Sequence, residues 1–230
     1  KDLLVKKTEG NPFFIEECVK ALVDEAALVG DPGAYRLARP VAGFRLPASV
    51  RATLASRIDR LEPEDRRSLL GAAVVGQTFD VGVLQDLLGT TRQHLLAQLA
   101  RLRHLGFVER TRLMPTVEFT FRHALIHEVA YETLLKTDRR ELHARVLASV
   151  ERQRSRRLVN RAELLAHHAN SAQIWPKAYL YCRTAGRLAQ DRSRNTEAIN
   201  LLETALDALG RLPPSRRNRE RSIDLRIELA

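Results

Sequence analysis

The stretch Val117–Leu135, VEFTFRHALIHEVAYETLL, changes its hydrophobic period part-way along. Val117, Phe119 and Phe121 fall on one side and Glu118, Thr120 and Arg122 on the other, the alternation of a half-buried strand. From Ala124 onward Leu125, Ile126, Val129, Ala130, Thr133 and Leu134 recur at steps of three and four, which is helical. His123 sits at the change. A side chain there is held by a strand on one side and lies beside the first-turn N–H groups of a helix on the other. Such groups attract anions, so the sequence places a histidine at a phosphate-type position.

Composition favours helices around this stretch. Of 230 residues 44% are hydrophobic but only 5% aromatic, a balance that suits stacked helices better than a sandwich or barrel. No apolar run approaches the roughly 18 residues needed to cross a bilayer. The start, KDLLVKKTEG, has no signal-peptide core and begins in mid-element, which predicts a piece of a longer protein. Cys18 and Cys182 are far apart in helical contexts and read as core thiols in a reducing, cytoplasmic setting. The net charge of +10 permits contact with nucleic acid or an acidic surface. The arginines are spread along helix faces, however, and Arg152–Arg157 and Ser215–Arg221 read as inter-helix connections.

Taken in order, Gly10-Asn11-Pro12 is a turn into a helix, with Asn11 as cap and Pro12 at the first helical position. That helix runs to about Glu25, and Val29 to Leu46 is a broken loop. Val50, Leu54, Ile58 and Leu61 mark a second helix, and Pro63, Glu64 and Asp65 start a third that stops at Gly76. Phe79 to Leu88 reads as a short helix. Thr90 with Gln93 forms a capping box for a helix carrying Leu95, Leu96, Leu99 and Leu102 and ended by Gly106. Phe107–Arg110 and Val117–Phe121 are then the arms of a hairpin.

Short helices followed by a two-stranded hairpin make a winged-helix arrangement. Its recognition helix would carry Arg92, His94, Arg101 and Arg103 as a nucleic-acid face; the alternative is a packing module with a solvated basic surface. Beyond Asp138, which with Glu141 caps a helix, the chain reads as helices Ala162–Ser171, Ala178–Asp191 and Glu197–Leu209. The last two fit one degenerate tetratricopeptide repeat, with Tyr179, Gly186, Ala198 and Ala205 at its small and packing positions. The expected fold class is therefore mainly α: a lid end (1–45), a winged-helix domain with a small β-hairpin (46–137) and a helical repeat array (138–230).

Five blocks carry more than pattern: GNPFFIEE, LPASVRATLASRIDRL, EDRRSLLGAAVVG, FRHALIHEVAYETLL and RSRNTEAINLLETAL. In this order they resemble the C-terminal half of the AAA-like regulatory ATPase of the STAND class. In bacteria that ATPase is joined to class III adenylate/guanylate cyclase domains or to LuxR-type DNA-binding domains. The resemblance covers about residues 8–230, and the ending looks closer to the cyclase-linked branch. It implies that nucleotide sits between an ATPase core and the winged helix. Gly10, Asn11 and Pro12 would lie against base and sugar, and His123 would reach the β-phosphate of ADP. It also implies ATP/ADP with magnesium as cofactor of the whole protein. The implied partners are an upstream core and output domain in the same chain and a protein or small-molecule signal at the repeats, with no membrane.

No G-x-x-x-x-G-K-[ST] occurs in the chain, so the phosphate cradle is expected upstream and this segment alone is expected neither to hydrolyse ATP nor to bind nucleotide tightly. His123 and His127 share a helical spacing with Glu128, and two more histidines, His167 and His168, are available further along the chain. The order HxxxHE is not that of a zinc helix, so no metal is expected and His127 is placed on the surface. No nucleophile–base set stands out, so no catalytic residue is expected. Three readings follow: a regulatory switch segment of a signalling ATPase, a DNA-binding winged helix, and a protein-interaction scaffold.

Overall fold

The computed structural model of the chain describes residues 48–112, 116–152 and 161–229, with residues 15, 19, 22–23, 27–30 and 35–38 ahead of them. Gly10, Asn11, Pro12, Cys18 and most of the first expected helix lie outside the described residues. Among the described residues the architecture is mainly helical with two small antiparallel sheets, and no helix is long and apolar enough to cross a membrane. In chain order the elements are β1 (Leu28–Val29), β2 (Arg36–Leu37), α1 (Ala48–Asp59), α2 (Pro63–Val75), β3 (Thr78–Asp80), α3 (Val81–Leu88), α4 (Arg92–His104), β4 (Val108–Arg112), β5 (Glu118–Phe121), α5 (Ala124–Thr133), α6 (Lys136–Arg152), α7 (Ala162–Ser171), α8 (Trp175–Asp191), α9 (Asn195–Gly210) and α10 (Arg216–Leu229). They fall into two compact units: residues up to Val81 with Arg92–Thr133, and Gly82–Thr91 with Leu134 onward.

In the first unit the aliphatic stripes meet as their spacing predicts. Val50, Leu54 and Ile58 of α1, Leu69 and Ala73 of α2, Leu95, Leu99 and Leu102 of α4, and Leu125 and Val129 of α5 are all buried. Pro63 sits in the first turn of α2 with Glu64 and Asp65, where the missing N–H costs nothing and the acids complement the dipole. At the end of α4, Gly106 takes φ 80. Gly106 N–H donates to the Arg103 carbonyl at 3.0 Å and Phe107 N–H to the Leu102 carbonyl at 2.9 Å, closing the helix as a Schellman motif before β4.

Two expectations are corrected here. Residues 28–29 and 36–37 pair as a short antiparallel ladder, and all but Leu28 fall in the stretch Val29 to Leu46 expected to be loop. Phe79 is not helical: it lies in β3, and the sheet has three strands in the order β3-β5-β4 rather than two. Residue propensity near Phe79 fits a helix, but the other edge of β5 is there to be paired, and Phe79 meets Phe119 and Phe121 with ring centroids 6.2 and 5.8 Å apart. Pairing of an open edge and burial of three aromatic rings outweigh local preference.

In the second unit each helix from α6 to α10 packs against the next in chain order. Ser149 of α6 donates to Asp86 of α3 at 2.7 Å, and Arg145 donates to the Leu87 carbonyl. The links after α7 and α8 use one turn twice: Gln173 and Ser193 both adopt φ 58. Ile174 N–H reaches the Ala169 carbonyl at 3.0 Å and Arg194 N–H the Ala189 carbonyl at 2.9 Å. This repetition is invisible in residue type, since neither turn uses glycine.

Helices α6, α8 and α9 begin two or three residues earlier than the sequence suggested, so Asp138 lies within the first turn of α6 rather than at its cap. Residues 216–221 are helix, not connection. Ser215 accepts the Asn218 N–H at 3.1 Å as an N-cap, and Arg221 lies 5.0 Å over the Tyr179 ring. Glu228 of α10 accepts from Arg183 and Arg187 of α8 at 2.5 and 2.6 Å. Burial of Glu228 works against ionisation, but the two guanidiniums outweigh it and hold the carboxyl below its usual range. Cys182 is buried, and burial pushes its thiol up to about 11, so it is an inert core residue.

Tyr179, Gly186, Ala198 and Ala205, expected at packing positions, are buried. A Cβ on Gly186 would stand 2.9 Å from Leu202 and 3.4 Å from the Ala198 carbonyl, so α8 and α9 approach through the missing side chain. Gly186→Leu regains about 1 kcal/mol of helix propensity. The whole side chain must nevertheless enter a filled interface, so we expect a net loss of about 2–3 kcal/mol. A urea titration followed by helical circular dichroism checks it; an unchanged midpoint contradicts the close approach.

Candidate functional site

The site is the junction of β5 and α5. β5 is the central strand, with Phe119 and Phe121 buried against Phe79. The strand bonding continues one residue beyond it, where Arg122 N–H donates to the Phe107 carbonyl at 3.0 Å. The chain then turns, and the His123 carbonyl accepts Ile126 N–H at 3.0 Å and His127 N–H at 3.5 Å. His123 thus occupies the N-cap position of α5, its side chain half-buried, beside the positive end of a helix that starts at Ala124. The switch of period seen in the sequence is the observed strand-to-helix junction.

His127, one turn along, is not on the surface as expected. It is half-buried, with Nε2 2.9 Å from the Ala73 carbonyl at the end of α2. A carbonyl only accepts, so Nε2 carries the proton. The ring meets Phe121 edge-on at 5.1 Å and stacks on Tyr131 at 6.3 Å. Burial lowers its pKa, which keeps it neutral. Its place follows from the short reach between α5 and α2, which a one-dimensional pattern does not contain. On the outer face of α5, Glu128 and Glu132 both bind Arg51 of α1. Both carboxylates are more than half exposed, so this contact orients more than it stabilises.

The expected nucleic-acid face divides in two. Arg101 donates twice to the buried Asp65 of α2, at 2.8 and 2.6 Å, and His94 lies 2.9 Å from Glu64. Between them Ser68 donates to Gln98 at 2.7 Å, both buried. These α4 groups are engaged in fastening α4 to the first turn of α2. Arg92 and Arg103 are exposed. The Arg101 and His94 side chains are both about half exposed in these pairs. The other half of the expected nucleotide site, Gly10, Asn11 and Pro12, lies outside the described residues.

A third grouping escaped sequence reasoning. His143 of α6 meets His167 and His168 of α7, with ring centroids 5.4 and 5.0 Å away. The signal was present: His143 lies on the stripe of Val146, Leu147 and Val150, at steps of three, four and seven, so it had to face inward.

The chain is 30% identical over 207 residues to the uncharacterized protein R02095 of Rhizobium meliloti (strain 1021). The alignment takes in 90% of this chain and 20% of that protein. The chain thus spans about a fifth of the length of the curated relative it matches. No family model matches the chain.

Proposed function

We propose that this chain is the regulatory segment of a larger nucleotide-dependent signalling protein, a STAND-type ATPase whose output domain is a nucleotide cyclase. The observation that carries the reading is His123, half-buried at the N-cap of α5 on the end of the central strand. There a histidine and helix N–H groups would meet a phosphate arriving from outside the unit. The element order α2-β3-α3-α4-β4-β5 with sheet order β3-β5-β4 supports a winged-helix reading of the first half. Successive packing of α6 to α10, with Gly186 where a Cβ would crowd Leu202 of α9, supports a tetratricopeptide-like array in the second. The long relative supports a place within a bigger protein.

In this scheme ADP bridges an upstream core and His123 and favours a closed state. A protein or small-molecule signal at the helical array favours an open one, in which nucleotide exchanges and output rises. Hydrolysis belongs to the upstream core with its magnesium. His123→Ala in the full-length protein is expected to speed ADP release by about 10–100-fold, the loss of one charged hydrogen bond, and to raise basal output. Release of a fluorescent ADP analogue measures it, and a variant that keeps ADP as tightly as the parent removes the role. For residues 1–230 alone calorimetry should find no micromolar ADP binding, because one side of the site is missing.

A further inference from the structure

We propose that His143, His167 and His168 form a divalent transition-metal site of the zinc class that ties α6 to α7. One imidazole nitrogen from each ring lies within 4.8 Å of the others. His143 and His168 are 1% and 0% exposed, and their Nδ1 atoms are 2.8 Å apart. Only one of those two nitrogens can carry a proton in that contact, so the accepting ring presents a bare nitrogen lone pair, the form that ligates. Burial is the main cause that keeps both rings neutral: the pKa of His143 is pushed down to about 4 and that of His168 to about 3.

A histidine pair alone leaves His168 incomplete. Its Nε2 is buried and has no hydrogen-bond partner among the described residues. Whichever tautomer His168 adopts, that atom is a buried N–H or a buried lone pair.

The chemistry selects the ion. Three imidazoles with no carboxylate or thiolate in the group suit zinc, copper or nickel and not magnesium or calcium, which require oxygen ligands. Zinc–nitrogen bonds of about 2.0–2.1 Å set ligand nitrogens about 3.3 Å apart in a tetrahedron. The buried pair therefore opens slightly and the third ring closes in. His167 is the exposed member, so it has room to do so. Arg139, one turn before His143, is the nearby opposing charge, and its Nε donates to the Leu134 carbonyl at 2.9 Å. Three protein ligands with one on the exposed side leave a fourth position for water, the arrangement of an exchangeable rather than a closed structural site. Binding would staple the first two helices of the array and stabilise the folded unit by mass action.

Zinc chloride titrated into the full 230-residue chain by calorimetry, with cobalt substitution read by visible absorption, tests this. One ion per chain is expected, with a four-coordinate cobalt spectrum and a raised melting temperature. His167→Ala, an exposed change that circular dichroism should show folded, is expected to weaken binding by at least about tenfold. His104→Ala, an exposed histidine of the other unit, should leave it unchanged. Absence of stoichiometric zinc binding, or affinity within threefold of the parent in His167→Ala, overturns the proposal.

Discussion

Between pH 6.5 and about 4.5 the second unit is expected to lose stability steeply. His143 and His168 have an ordinary pKa of 6.5; in the fold, burial first, then His167 and Arg139 for His143 and His143 and His167 for His168, push them down to about 4 and about 3. Below pH 6.5 the unfolded chain takes up protons that the folded chain does not. The contribution is thus complete above pH 6.5 and is lost as pH falls toward the folded values. Two such protons give a slope of up to about 2.7 kcal/mol per pH unit, large against the roughly 5–15 kcal/mol that holds a domain together. Most of this window lies above the ordinary carboxylate range, so histidine dominates it. The first unit has one histidine lowered by burial, His127, and should lose less. Urea midpoints at pH 7.5, 6.5, 5.5 and 4.5, with probes in each unit, measure the effect. Replacing His143 and His168 together by Leu should remove most of the slope. A second unit equally stable at pH 7.5 and 5.5 would contradict the burial of neutral rings.

Phe121→Ala is expected to be the most damaging single change in the first unit. The ring is 2% exposed and packs on Phe79 at 5.8 Å and on His127 at 5.1 Å. Its removal leaves a cavity beside the turn that carries His123, at a cost of about 3–5 kcal/mol. Thermal unfolding of this unit should fall by more than 10 °C, at about 4 °C per kcal/mol for a unit between the small and mid-sized ranges. Phe121→Leu should recover a good part. If the alanine variant melts within two or three degrees of the parent, Phe121 is not the packing centre of the sheet.

Both predictions concern groups legible in the sequence to different degrees. Phe121 was readable because strand alternation is a one-dimensional signal: Val117, Phe119 and Phe121 had to share a face. Likewise the stops at Gly76 and Gly106, the start at Pro63 and the small residue at Gly186 follow from backbone chemistry that local sequence encodes. Phe79 was misread because its strand exists only through a partner 40 residues away. The inward turn of His127 depends on the Ala73 carbonyl, likewise remote in sequence.

Local sequence carried most of the helices, their approximate limits and the faces of their aliphatic stripes, because propensity, capping and hydrophobic period act within a turn or two. His123 at the strand-to-helix change is such a fact. The partners came from packing in three dimensions. It gave β5 its third strand, took Arg101 and His94 of α4 for Asp65 and Glu64, and brought His143 within hydrogen-bond distance of His168 across 25 residues. Such contacts depend on how far two surfaces lie apart after packing, a distance set by the core as a whole and by no residue alone.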